Sequence, residues 1–454
     1  MTGVITVETG RDAASGPRGG PAADDGRAPG RVSWFRPLVC ACAAVAAAVR
    51  VVVYLGYYRG RPLGWNDAPY YSEQANRLAH GTWFTDPATG FPVAEHGPLT
   101  SLILAPVSWV DGPEDWQRLV TVVTGLATVV VVGLVGRRLG GPAVGVAAAG
   151  LAALYPNLWL NDGLVMSESV AALCVSLWVL TGCVWHERRS AGWAVAFGAA
   201  AGAATLARSE LAMLVAASAA VILVAEWHAR RRLAWAAAAG AALVLAPWVL
   251  PNLVRFERPV VLSTNDGTTW RGAYCDETYS GPALGSWSLA CLAGDLDVVR
   301  VEPSQRSDRW QSDGLAYARD HPGRLPAVVA ARVGRAFDLF GLDYQVDEDV
   351  RDGRPRQGSW AGIVAFWILA PLAAAGFARV RGVARWLLLA PVLTVAITTV
   401  VFYGGHRIRS PLEPVIVLAA APAAVALARH LRERLRGERP VAAPEPEVVG
   451  ALTS

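Results

Sequence analysis

At 454 residues and 48.0 kDa the chain is long enough for three soluble domains, but 53% hydrophobic and 17% charged residues exclude that organisation. Its Ala/Val/Leu runs outlast the helices of soluble proteins, typically about 8–20 residues. The net charge of +4 rests on Arg alone, with no Lys, and these Arg cluster in short loops, which implies membrane sidedness rather than a nucleic-acid partner.

Residues 1–37 are predicted to be a disordered cytoplasmic tail, poor in large apolar side chains. A helical span needs roughly 20 mostly apolar residues. Ten windows satisfy this: about 38–58, 116–136, 142–160, 169–186, 191–207, 211–228, 233–253, 359–378, 384–403 and 411–428. The first reads as an uncleaved anchor rather than a signal peptide. The apolar stretch 98–110 is half a membrane long and is expected to be re-entrant or interfacial. The predicted fold class is therefore an all-α polytopic membrane protein with about ten transmembrane helices.

Arg137-Arg138, Arg188-Arg189, Arg230-Arg231-Arg232, Arg379/Arg381/Arg385 and the Arg of both tails fall at alternate connections. The positive-inside rule then places both termini in the cytoplasm. Spans one to seven occupy 38–253, with an outer loop at 59–115; a large extracytoplasmic loop fills 254–358; spans eight to ten occupy 359–430, and 431–454 is a cytoplasmic tail. A bacterial inner membrane is the expected location.

Of six Cys, four lie in spans as packing residues, while Cys275 and Cys291 share the large outer loop, an oxidising location. A bridge there would contribute roughly 3 kcal/mol by loop entropy; two free thiols is the alternative. No Cys/His spacing resembles a zinc site.

Ionisable groups inside a bilayer are costly, and the span interiors read as nearly free of them. Polar residues gather instead at outer span ends: Asp67, Glu95, His96, Asp162, Glu168, Arg208, Glu210, Arg407, Arg409 and Glu413. Four separate connections supply them, and the topology sets all of them at one leaflet. Each also has a structural reading. Ser167-Glu168, Ser209-Glu210 and Ser410-Pro411 with Glu413 suit helix starts, and Asp67 suits a helix N-cap.

The motifs carrying these residues resemble those of GT-C glycosyltransferases that use polyprenyl-phosphate sugars, including family 39, the protein O-mannosyltransferases and the lipid A aminoarabinose transferases. Asn66-Asp67-Ala68-Pro69-Tyr70-Tyr71 and Glu95-His96-Gly97-Pro98-Leu99 are similar to that family's first outer loop. Asp162-Gly163 with Ser167-Glu168, then Leu206-Ala207-Arg208-Ser209-Glu210, then Ser263-Thr264-Asn265-Asp266-Gly267, follow in family order. Arg407-Ile408-Arg409-Ser410-Pro411-Leu412-Glu413-Pro414 resembles Arg-Tyr-Arg-x-Pro-Leu-Glu-Pro. The sequence departs from the pattern at Ala68, where many members have a second acid, at Gly97 in place of Pro, and at Pro251 in place of Arg.

The resemblance implies transfer of a sugar from a polyprenyl-phosphate donor to an acceptor hydroxyl at the outer face, with inversion. The acceptor class (glycan, lipid or protein) and the sugar stay open. Asp67 is the expected general base. Arg407, Arg409 and Arg208 are the expected phosphate ligands, because the guanidinium fork binds phosphate bidentately, and His96 is a further candidate. Glu95, Asp162 and Glu168 would orient these groups or bind a divalent cation, and Glu210 and Glu413 complete the substrate-binding set. Two other readings remain: a lipid or sugar transporter, and a non-catalytic relative that keeps the fold.

Overall fold

A computed structural model of the chain describes residues 34–64, 67–225, 231–293 and 301–436. The expectations for the tail 1–33, for Asn66, Arg230 and loop residues 294–300, and for the C-terminal tail beyond 436 lie outside the described residues.

The ten apolar windows fall on nine apolar helical stretches among the described residues, one of them bent back on itself. Seven are long and apolar enough to cross a membrane, and two, Ala191–Ala207 and Ser209–Ala225, are shorter. The first helix among the described residues is α1 (Phe35–Val53), prolonged by a π-helical turn to Tyr58. In the first loop follow α2 (Ala68–Ala79) and α3 (Leu99–Leu104), the latter the only helical piece of 98–110 besides a 3-10 turn over Ala105–Val107.

The helix α4 (Glu114–Leu154) carries two windows, and its 41 residues are broken at Gly140 and Gly141. Gly141 has φ +84 and ψ −179, a conformation that L side chains resist. A Cβ on Gly145 would lie 2.7 Å from the Gly133 carbonyl oxygen. Residues twelve apart approach this closely only if the chain folds back, so α4 is two antiparallel helices hinged beside Arg137-Arg138.

Next come α5 (Pro156–Trp159), α6 (Ser167–Arg188), α7 (Ala191–Ala207), α8 (Met213–Ala225) and α9 (Arg231–Arg255). The long loop is helical too: α10 (Asn265–Ala273), α11 (Asp276–Tyr279), α12 (Pro303–Asp320), α13 (Leu325–Ala336) and α14 (Leu342–Arg351). A disulfide joins Cys275 and Cys291 there. The last helices are α15 (Arg356–Phe377), α16 (Val383–Val401), the single turn α17 (His406–Arg409) and α18 (Glu413–Leu435).

α6 forms the centre of the bundle, packing on α4, α7, α16 and α18, and Trp178 and Trp185 on it are fully buried. Large apolar residues such as Val52, Leu243, Leu250 and Ile368 are instead exposed. A water-facing surface would not carry so many; lipid accepts them. The chain is a multi-pass helical membrane protein.

The span interiors are not free of charge. Arg50 of α1 is 2% exposed, and its Nε donates to Asp162 Oδ2 at 2.6 Å. Its partner comes from the α5–α6 connection, so neither charge is left alone in a low dielectric.

Without a hydrophobic force between helices in lipid, close association relies on small residues. On α7 a Cβ at Gly198 would lie 1.7 Å from the Ala237 carbonyl oxygen, whereas one at Gly192 would meet nothing within 4 Å. Gly198→Ala should lower stability by about 1–3 kcal/mol through overpacking against α9. Thermal unfolding of the purified protein in detergent reads this, with Gly192→Ala unchanged or slightly more stable; equal behaviour of the two variants would refute the close α7–α9 contact.

Candidate active site

Asp67 occupies the N-cap position of α2, but its side chain makes no capping hydrogen bond. Its carboxylate turns to a guanidinium and an imidazole instead. Oδ2 accepts from Arg407 Nη2, and Oδ1 lies 3.5 Å from His96 Nε2. His96 is held by the ring of Tyr70, 5.0 Å between centroids, and by Tyr71 at 5.3 Å. Burial pushes the Asp67 carboxyl up, but Arg407 and His96 outweigh it and hold it well below the usual carboxylate range. For His96, burial lowers the imidazole's affinity for a proton, while Asp67 and Glu95 raise it further, so its net shift is upward.

Arg407 also reaches Glu168. Its Nε donates to Oε1 at 2.9 Å, and the same oxygen accepts from Arg208 Nη1 at 3.3 Å. Arg208 Nε in turn donates to Glu210 at 2.5 Å. Glu168 lies in the first turn of α6 behind Met166 as N-cap, so Ser167 does not cap this helix. Glu168 is 1% exposed, and its Oε2 has no hydrogen-bond partner. It borders a cavity of about 10 Å³, room for one water, which Arg50, Asn161, Asp162 and Ser169 also line.

Of the ten residues singled out by sequence, six therefore meet in one cluster: Asp67, His96, Glu168, Arg208, Glu210 and Arg407. Asp162 lies apart, across the small cavity on Arg50 and Ser169; burial raises its carboxyl, against the opposing pull of Arg50. Glu95 offers its carbonyl, which accepts from Ser263 Oγ at 2.5 Å. Arg409 and Glu413 form a second, closed group. Arg409 is fully buried, with Nη1 on Asp338 at 2.7 Å and Nε on Glu413 at 2.8 Å, while Tyr155 donates to Glu413 at 2.7 Å.

Sequence reasoning missed the acids that the long loop contributes. His406 faces Asp349 through Nδ1 at 2.8 Å and Asp338 through Nε2 at 2.5 Å, a pairing that the two N–H groups of an imidazolium satisfy. Arg354 ties Asp349 to Asn161 at 2.8 and 2.6 Å. Asp352 stands 4.0 Å from Arg407 Nε. The only sequence signal was position, a run of acids close to the next span, inside a loop with many charges of both signs.

Among the described residues no group of three or more His, Cys, Asp and Glu side chains is arranged to hold a metal ion. The cluster does not fit a divalent cation, because the guanidinium of Arg407 occupies the place between Asp67 and Glu168.

Residues 95–251 match the family model described as dolichyl-phosphate-mannose-protein mannosyltransferase. No curated protein matches the sequence significantly. Among solved structures, the Archaeoglobus fulgidus oligosaccharyltransferase tethered to an acceptor peptide superposes with a TM-score of 0.56 at 15% identity, over 91% of this chain and 52% of that one. AglB of the same organism, in complex with an inhibitory peptide and a dolichol-phosphate, gives 0.53 at 14% identity, again over 91% and 52%. The chain shares its helical membrane fold with these structures. It spans about half the length of those oligosaccharyltransferases. ArnT from Cupriavidus metallidurans bound to undecaprenyl phosphate overlaps more loosely, with a TM-score of 0.42 at 18% identity over 89% and 80%.

The ion network beside the cluster has a pH signature. Burial pushes the Asp349 carboxyl up, but Arg354 and His406 bring it down to about 2. A folded value below the unfolded one means its stabilisation, about 2 kcal/mol, is complete above pH ~4 and is lost as pH falls towards 2. Thermal midpoints measured from pH 5 to pH 2.5 should therefore fall more steeply for the native chain than for Asp349→Asn; parallel curves would disprove the contribution.

Proposed function

We propose that the protein transfers a sugar from a polyprenyl-phosphate donor to an acceptor hydroxyl, with inversion, at the outer face of a bacterial inner membrane. The carrying observation is the convergence of Asp67, Arg407, Glu168 and Arg208 from four separate connections into one partly open cluster. The match of 95–251 to a mannosyltransferase family model supports the choice of chemistry. The Arg distribution along the sequence supports the sidedness, with both termini cytoplasmic.

In this reading the acceptor oxygen forms a bond to the anomeric carbon while the bond from that carbon to the phosphate oxygen breaks. The acceptor proton passes to Asp67, which is ionised and 26% exposed, and the displaced phosphate leaves on its lipid. Arg407, with 23% of its side chain exposed, meets the phosphate directly. Arg208, at 9%, holds Glu168 and Glu210 behind it. Buried Arg409 positions α17 and is not assigned to the phosphate. His96 orients Asp67.

Asp67→Asn should lower sugar transfer in membranes about 100- to 10,000-fold, the range for loss of a general base, while insertion and thermal stability persist. Transfer at the native rate would remove Asp67 from the base role. Arg407→Lys keeps the charge and loses the fork. It should raise KM for the lipid donor at least about tenfold, with KM for the acceptor unchanged; an unaltered donor KM would count against the phosphate contact.

A further inference from the structure

Arg407 is bordered by three carboxylates that differ in exposure. Glu168 is closed off at 1%, whereas Asp67 and Asp352 retain 26% and 16% of their side-chain surface. The partly exposed carboxylates beside the guanidinium are thus Asp67 from the first loop and Asp352 from the end of the long one. Asp67 bonds Arg407 directly, and Asp352 pairs with it more loosely, its Oδ2 4.0 Å from Nε.

The position of Asp352 is built rather than incidental. It closes α14, where its N–H donates to the Glu348 carbonyl at 2.9 Å. Gly353 follows with φ +96 and turns the chain, and Arg354 is then anchored on Asp349 and Asn161. Asp352 therefore belongs to a fixed turn bound to the α5–α6 connection.

We propose that Asp352 is a further donor-binding residue, which as a carboxylic acid donates a hydrogen bond to the phosphate held by Arg407. This rests on the donor reading above and adds a second lipid-phosphate contact from the loop opposite Asp67. An ionised carboxylate at this place would repel the phosphodiester; a protonated one replaces repulsion with a hydrogen bond. The surroundings favour the acid. Burial pushes the Asp352 carboxyl up to about 7; Arg407 and Arg354 oppose this, and Glu168 and Asp349 add to it. The acid form thus prevails below pH ~7, and the contact is lost as pH rises through that value.

The test uses the full chain in lipid nanodiscs and a polyprenyl phosphate methyl ester, a phosphodiester whose single charge is constant from pH 6 to pH 8.5. The native chain should bind it about tenfold more tightly at pH 6 than at pH 8.5. His96 titrates beside Asp67 and contributes a slope common to all variants, so the deciding comparison is between variants at one pH. At pH 8.5 Asp352→Asn, a hydrogen-bond donor at every pH, should bind about tenfold more tightly than the native chain. Asp352→Ala, which removes the charge and supplies no donor, should bind more weakly than Asp352→Asn at both pH values. Asparagine no tighter than native at pH 8.5, or equal to alanine throughout, overturns the proposal. So does a native affinity that is the same at both pH values, although the donor reading would then stand. Binding no tighter than to the uncharged methyl ether of the same polyprenol would defeat the donor reading itself, and this proposal with it.

Discussion

The guanidinium of Arg407 shared between Asp67 and Glu168 is the interaction around which this end of the helix bundle is arranged. Glu168 is buried, so its charge needs a partner held against it, whereas Asp67 and Arg407 remain partly exposed and depend less on each other for stability. The place of Arg407 must therefore be fixed. His406 and Arg409, its neighbours on α17, provide that by engaging Asp338, Asp349 and Glu413. One turn of helix thus carries two buried anchors and one partly exposed cation between them.

The same pairing constrains the chemistry. Asp67 in contact with Arg407 is weakly basic, since the guanidinium stabilises the carboxylate form. On the proposed donor reading, a phosphate would compete with Asp67 for the Arg407 fork. Its arrival would weaken the counter-charge on Asp67 and make that carboxylate a stronger base. Donor binding and base activation would then be two results of one displacement.

The spans were legible in the sequence because apolar length is a local property, and even the α4 hairpin was visible as two windows separated by Arg137-Arg138 and Gly140-Gly141. The site was legible in part. Asp67, His96, Glu168, Arg208 and Arg407 lie in compact motifs at span ends, where few charges compete for attention. Arg407 and Arg409 read as equals along the chain, yet two residues on a helix point about 200° apart, so one faces the cluster and the other the interior. Arg50 was obscured by the apolar window around it, because its partner Asp162 is 112 positions away. Asp338, Asp349 and Asp352 were hidden by the opposite difficulty, a loop so rich in charge that position alone selects none of them.

The long loop consequently does more than cover the membrane domain. Arg354 crosses 193 positions of sequence to reach Asn161, and His406 draws Asp338 and Asp349 onto α17. The stretch 95–251 that matches a mannosyltransferase model holds Glu168 and Arg208 but neither Asp67 nor Arg407. A cluster built from both ends of the chain cannot be complete in that stretch alone. Its assembly depends on the 338–354 segment closing against the α5–α6 connection, and any change that loosens this closure releases Arg407 from its carboxylates without touching a residue of the cluster.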